Sequence, residues 1–182
     1  ETQSGHSRWY VDHFRGLAAE GADPGGEARF IDAVAAPHSR ILDAGCGPGR
    51  TGAVLHERGQ HVVGVDVDPE LIEAARTDHP GPRWIVADLA ELDLPALGEP
   101  EPFDGAVMAG NVIAYVAPET EVRVLRRIAA HLVPDGFLVI GFHTARYAIE
   151  NFDAHIGEAG LIREQRFATW DLRPWRNDAD FC

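Results

Sequence analysis

A short apolar run, Ile41-Leu-Asp-Ala44, feeds straight into Gly45-Cys-Gly-Pro-Gly49-Arg50, and a second run, Val62-Val-Gly-Val65, ends in Asp66. Glycines at 45, 47 and 49 permit positive φ and let a backbone approach a ligand closely. The amphipathic stretch between the two runs predicts a helix, so the segment reads strand, glycine loop, helix, strand. A carboxylate ending the second strand of such a unit can take both hydroxyls of a ribose. That placement makes the loop a nucleoside site before anything else in the chain is considered.

Spacing decides which nucleoside. A dinucleotide loop wants G-x-G-x-x-G, its third glycine lying where the helix packs on the strand and its N-terminus meets a pyrophosphate. Here the order is G-x-G-x-G, with Arg50 at the required third position, and Pro48 removes an N–H that would otherwise face phosphate. Asp43, two residues before the first glycine, points to a cationic amine instead. The motif therefore suits a nucleoside carrying an amino-acid tail. It resembles motif I of the class I S-adenosylmethionine-dependent methyltransferases.

That resemblance implies a Rossmann-like α/β fold with a seven-stranded sheet, order 3-2-1-4-5-7-6, mostly parallel with the last strand antiparallel, helices on both faces and an N-terminal helical lid. It implies one domain over 1–182, with the lid at 1–39 and the cofactor-binding core at 40–182. Asp43, Gly45, Gly47 and Gly49 would receive the methionine tail, with Arg50 opening the helix behind them. Cys46 lies within the loop and reads as a small packing residue. Asp66 would hold the ribose and Val67 lie against adenine. Asp88 would accept from the adenine amine, beside the Leu89 N–H. Ala109, Gly110 and Asn111 resemble motif IV: a carbonyl near Ala109 for the amino group, Asn111 facing the transferring methyl. The N/D-P-P-Y/F signature of amino-methylating nucleic-acid and protein enzymes is missing there, which turns the expectation toward a small-molecule acceptor.

The remaining chain predicts strands at 40–44, 61–66, 83–87, 105–109 and 137–143, alternating with helices near 50–58, 69–77, 118–132 and 146–158. The 118–132 helix is expected to end at Pro134-Asp-Gly136. Leu161–Leu172 alternates as a sixth strand, and Asp180-Phe-Cys182 remains to begin the last one. Two further helices, 6–20 and 27–35, flank the breaker Gly21-Ala-Asp-Pro-Gly-Gly26. Tyr10 and His13 lie on the first, the expected lid. His143 ends the fifth strand, where an imidazole could accept a proton from the acceptor, and His13 is the rival base. Tyr115, Arg146, Trp170, Arg173 and Trp175 are candidates for an acceptor pocket suited to a planar or carboxylate-bearing molecule.

Charge and composition narrow the partners. The formal charge is −13, from 16 cations against 29 acids, without a basic run of the kind that binds phosphate backbones. All 16 cations are arginine, so lysine Schiff-base chemistry is excluded. The expectation is a small-molecule acceptor, no nucleic acid, no membrane, no metal, a monomer or homodimer, and a cytoplasmic location suggested by only two cysteines. S-adenosylmethionine would be the donor and S-adenosylhomocysteine the product. The alternatives are an NAD(P)-dependent oxidoreductase and a non-catalytic S-adenosylmethionine-binding protein.

Overall fold

A computed structural model describes residue 11 and residues 26–182. The expected helix over 6–20 lies, but for Val11, outside the described residues, and Tyr10 and His13 with it; of the lid expected over 1–39, Val11 and residues 26–39 are described. The elements run α1 (Gly26–Val34), β1 (Arg40–Ala44), α2 (Arg50–Glu57), β2 (His61–Asp66), α3 (Pro69–Asp78), β3 (Arg83–Val86), β4 (Phe103–Met108), α4 (Glu121–Ala130), β5 (Leu132–Ile140) and α5 (Ile149–Glu158). Single 3-10 turns follow β3 (Leu89–Glu91) and β4 (Val112–Ala114).

The strands form a five-stranded parallel sheet in the order β3-β2-β1-β4-β5. Its strands alternate between two apolar layers, as buried parallel strands must when helices cover both faces. Leu42, Val63, Val65, Ala106 and Met108 pack with Val124, Leu125 and Ile128 of α4 and with Phe152 and Ile156 of α5. Ile41, Val62 and Val107 pack on the other side with Ala28 and Ile31 of α1 and Leu55 of α2. Chain order reverses between β1 and β4, so a crevice opens at the carboxyl ends of those central strands, the usual ligand position in open α/β sheets.

Two expectations about the sheet are corrected. Leu161–Leu172 forms no strand; the segment has a single bridge, Phe167 to Pro174. Its side chains are claimed by other elements: Arg163 and Arg166 pair with Asp153 of α5, and Phe167 meets the edge of Phe30 at 6.1 Å. The described sheet thus has five strands, not seven. Asp180-Phe-Cys182 does run antiparallel beside the end of β5, through reciprocal bonds of 2.8 and 2.9 Å between Phe142 and Cys182. That contact is a bridge and not a full strand.

The second correction concerns Pro134-Asp-Gly136, expected to be the turn after a helix. α4 ends at Ala130, and β5 has already begun at Leu132. Phe103 pairs with Leu132 and Gly105 with Phe137, so residues 133–136 bulge out of the ladder. Proline tolerates such a position, where its missing N–H costs no ladder bond. Gly105 is required opposite the bulge, because a Cβ there would meet the Phe137 ring at 2.2 Å. β4 accordingly starts at Phe103, two residues before the expected boundary, and β3 stops at Val86, one residue early.

Candidate functional site

The glycine loop lies between β1 and α2, against the end of β2. Gly45, Gly47 and Gly49 have φ of 79°, 54° and 84°, left-handed values that side-chain-bearing residues adopt at a cost. Space also demands glycine at two of them. A Cβ on Gly45 would sit 2.5 Å from the Val112 methyls, and one on Gly49 would sit 2.9 Å from the Trp84 ring. The first contact brings the 3-10 turn after β4 directly onto the loop.

Every N–H in the loop is committed within the protein. Gly45 and Cys46 donate to the Val65 carbonyl at 2.7 and 3.0 Å, and Gly49 donates to the Cys46 carbonyl at 3.0 Å. Gly47 donates to Asp66 Oδ2 at 2.9 Å, and Pro48 has none to give. A pyrophosphate cradle needs such donors turned toward the ligand. This loop instead offers carbonyls and carboxylates, an acceptor set suited to hydroxyls and cations.

Asp66 is the centre of that set. Its Oδ2 takes the Gly47 N–H and its Oδ1 the Asp68 N–H, each at 2.9 Å, which fixes the carboxylate at the tip of β2 with lone pairs to spare. Burial raises its pKa, opposed by those two backbone bonds. Val67, the next residue, is 66% exposed, an apolar surface beside a polar anchor. Asp68, and not Asp66, caps α3 through the Glu70 N–H at 2.8 Å. Across from them, Asp88 is exposed and caps the 3-10 turn after β3 with Oδ1 on the Ala90 N–H at 2.8 Å, while Leu89 is buried. An apolar face, a ribose-capable carboxylate and a second exposed carboxylate fit an adenosine.

Asp43 is the buried acid of the site. It is 2% exposed, and its Oδ2 accepts the Gly52 N–H at 2.9 Å in the first turn of α2. A carboxylate at a helix N-terminus is favoured there, yet burial pushes its pKa up to about 7. Asp43 therefore pins the helix to the loop through Oδ2. Arg50 is also turned inward: its guanidinium forms a two-pronged pair with Glu27 of α1, at 2.8 and 3.1 Å. Cys46 packs with Ile72, Ala75 and Trp84, its thiol pushed well up by burial, which suits packing and not nucleophilic attack.

Trp84 escaped the sequence reading. Its ring occupies a hollow that exists because residues 49, 52 and 64 are glycine: a Cβ on any of them would lie within 2.9 Å of the ring. Gly64 is the signal that could have found it, since it interrupts the apolar run of β2.

At the exits of β4 and β5 the loops are sewn together. Asn111 adopts φ 66°, its N–H donates to the Gly141 carbonyl at 3.1 Å, and its Oδ1 accepts from the His143 N–H at 2.7 Å. Asn111 is thus a left-handed turn residue whose side-chain oxygen accepts from the backbone at the exit of β5. Ala109 is buried and Gly110, at φ 70°, completes the exit. The His143 ring is exposed, with Nδ1 3.3 Å from the Asp180 carbonyl and its plane edge-on to Phe181 at 5.3 Å. The five acceptor-pocket candidates divide. Tyr115 and Arg146 meet each other at 2.7 Å. Trp170 covers Gly141 and Phe30, Trp175 stacks on Arg166, and Arg173 pairs with Asp171. No group of three or more metal-binding side chains occurs among the described residues, and none of their helices is long and apolar enough to cross a membrane.

A family model described as a methyltransferase domain matches residues 41–136. A TehB-like SAM-dependent methyltransferase from Corynebacterium glutamicum is 40% identical, with a TM-score of 0.92 over 98% of this chain and 96% of that one. The magnesium-protoporphyrin O-methyltransferase of Rhodobacter capsulatus is 40% identical over 85 residues, 44% of this chain and 35% of that protein. The ribosomal protein L11 methyltransferase of Symbiobacterium thermophilum is 35% identical over 122 residues, 65% of this chain and 37% of that protein. The chain spans little more than a third of the length of these two curated relatives.

Proposed function

This chain belongs to the methyltransferase-domain family of class I S-adenosylmethionine-dependent enzymes, and on that footing we propose that it methylates an oxygen or nitrogen of a small molecule. The observation that carries the donor side is the fully committed set of loop N–H groups beside Asp66, which leaves acceptors rather than donors to meet a ligand. S-adenosylmethionine supplies an electrophilic methyl on a positively charged sulfur. Asp66 binds the two ribose hydroxyls, Val67 covers the base, and the free oxygen of Asp88 takes the exocyclic amine beside Leu89. The carbonyl near Ala109, with Gly110 permitting the approach, accepts from the ammonium. Asp43 biases that end toward positive charge.

Transfer is an in-line displacement: a carbon–sulfur bond breaks as a carbon–oxygen or carbon–nitrogen bond forms, and the acceptor's proton leaves to a base or to water. The protein's part is alignment and exclusion of water. His143, exposed at the carboxyl edge of the sheet, is the base where the acceptor arrives protonated. His13 and Tyr10, on the preceding segment, are the alternatives. The small-molecule reading is supported by the net charge of −13 and by the missing N/D-P-P-Y/F signature.

Calorimetry with S-adenosylhomocysteine, and separately with NADH, tests the donor. Micromolar S-adenosylhomocysteine affinity that falls at least 50-fold in Asp66→Ala is expected; NADH binding in its place would overturn the reading. Methyl transfer to a metabolite panel then separates an enzyme from a non-catalytic binder. A His143→Ala variant that keeps full kcat above pH 7 would remove the proposed base.

A further inference from the structure

The acceptor side carries a cation, Arg146, that no carboxylate of the described residues neutralises. The 3-10 turn Val112–Ala114 rests on the cofactor loop through Val112 and Gly45, and Tyr115 follows it, 65% exposed. The loop leaving β5 is clamped to this turn at three successive points. Asn111 N–H bonds the Gly141 carbonyl, the His143 N–H bonds Asn111 Oδ1, and Arg146 Nη1 donates to the Tyr115 hydroxyl at 2.7 Å. The Arg146 guanidinium also lies 5.6 Å from the Tyr115 ring centroid, a cation–π distance. Phenol and ring together hold the guanidinium at the carboxyl edge of the sheet without balancing its charge.

Acids are not scarce in this chain: there are 29 against 16 arginines. Arg40, Arg50, Arg58 and Arg83 each hold a carboxylate within 3.0 Å. Among the described residues no carboxylate pairs with Arg146. An exposed Arg–Tyr contact adds little to stability, so a structural role accounts poorly for a positioned, uncompensated cation at the site's rim. Arginine presents five N–H donors in a planar fork, and Tyr115 uses one. Its remaining edge matches a carboxylate, and one guanidinium balances one such charge.

We propose that the methyl acceptor is a small carboxylic acid, seated by Arg146 with Tyr115 as the positioning residue. This rests on the methyl-transfer reading above. The test loads the protein with S-adenosylhomocysteine and titrates matched planar probes by calorimetry: benzoate with benzamide, salicylate with salicylamide, cinnamate with cinnamamide, and phenyl phosphate. At least one acid is expected to bind tenfold or more tightly than its amide. That preference should shrink below threefold in Arg146→Ala and fall partway in Tyr115→Phe, with S-adenosylhomocysteine affinity unchanged in both. The proposal is overturned if no acid is preferred, if the preference survives Arg146→Ala, or if phenyl phosphate binds more tightly than every acid. Absence of S-adenosylhomocysteine binding in the unsubstituted protein would instead sink the donor reading itself.

Discussion

At Asp43 two demands meet in one side chain. Its carboxylate must accept the Gly52 N–H to hold α2 against the loop, yet at 2% exposure it pays heavily for ionising. The outcome is a pKa of about 7 against an ordinary 3.8. A raised folded-state pKa means the folded protein binds the proton more tightly. The associated stabilisation is complete below about pH 4 and is lost as pH rises through about 7. Between pH 5 and pH 8 the protein should therefore lose about 3 kcal/mol relative to Asp43→Asn, whose amide oxygen still accepts from Gly52. Urea denaturation across that range measures the difference; parallel pH profiles for the two proteins would refute it. A ligand with a cationic tail lowers the pKa again, so S-adenosylhomocysteine binding near pH 6.5 should release protons. Calorimetry in buffers of different ionisation enthalpy reads that release, and Asp43→Asn should abolish it.

At the scale of elements, three glycines and one tryptophan decide how α2, β2 and β3 approach one another. Trp84 fills the hollow over Gly49, Gly52 and Gly64, with its Nε1 bonded to the His79 carbonyl at 3.0 Å. Gly64→Ala would place a methyl 2.3 Å from the ring in a packed layer, an overpacking expected to cost about 2 kcal/mol. Trp84→Leu alone should cost about as much through the space it leaves. Their combination should cost clearly less than the sum, because each relieves the other's fault. Chemical denaturation of the four proteins measures the coupling, and strict additivity would show that the ring does not occupy this hollow. The same packing bears on the site, since Gly49 is the last loop residue, at the N-cap of α2.

For the molecule as a whole, the segment beyond α5 acts as a fastening and not as sheet. Trp170 lies over Gly141 and against Phe30 and Phe181, joining α1, the exit of β5 and the chain's last residues. Trp170→Ala is expected to cost about 3 kcal/mol, the lower range for a large aromatic, since the ring is partly exposed. The melting temperature should fall by several degrees, and S-adenosylhomocysteine affinity should fall less than fivefold because Asp66 ends β2, three strands away from β5 in the sheet. A loss of affinity matching that of Asp66→Ala would mean that this segment shapes the donor site directly.

The sequence alone determined the donor half of this protein. A strand, a left-handed glycine loop, a helix and a strand-ending Asp66 follow from local chemistry, because φ preference, proline's missing N–H and a 16-residue spacing after Arg50 act within one contiguous stretch. Even Pro48 and Arg50 carried their message in one dimension. Tertiary structure decided everything that depends on which distant residue arrives first. The bond from His143 to the Asn111 oxygen and the pair between Arg50 and Glu27 have no trace in the sequence, and residues 161–172 alternated like a strand until Asp153 and Phe30 drew their side chains away. Partner choice among long-range groups is a competition of distances, and a linear pattern contains no distances. That is why the loop named its ligand while the uncompensated charge of Arg146 came into view in the folded chain.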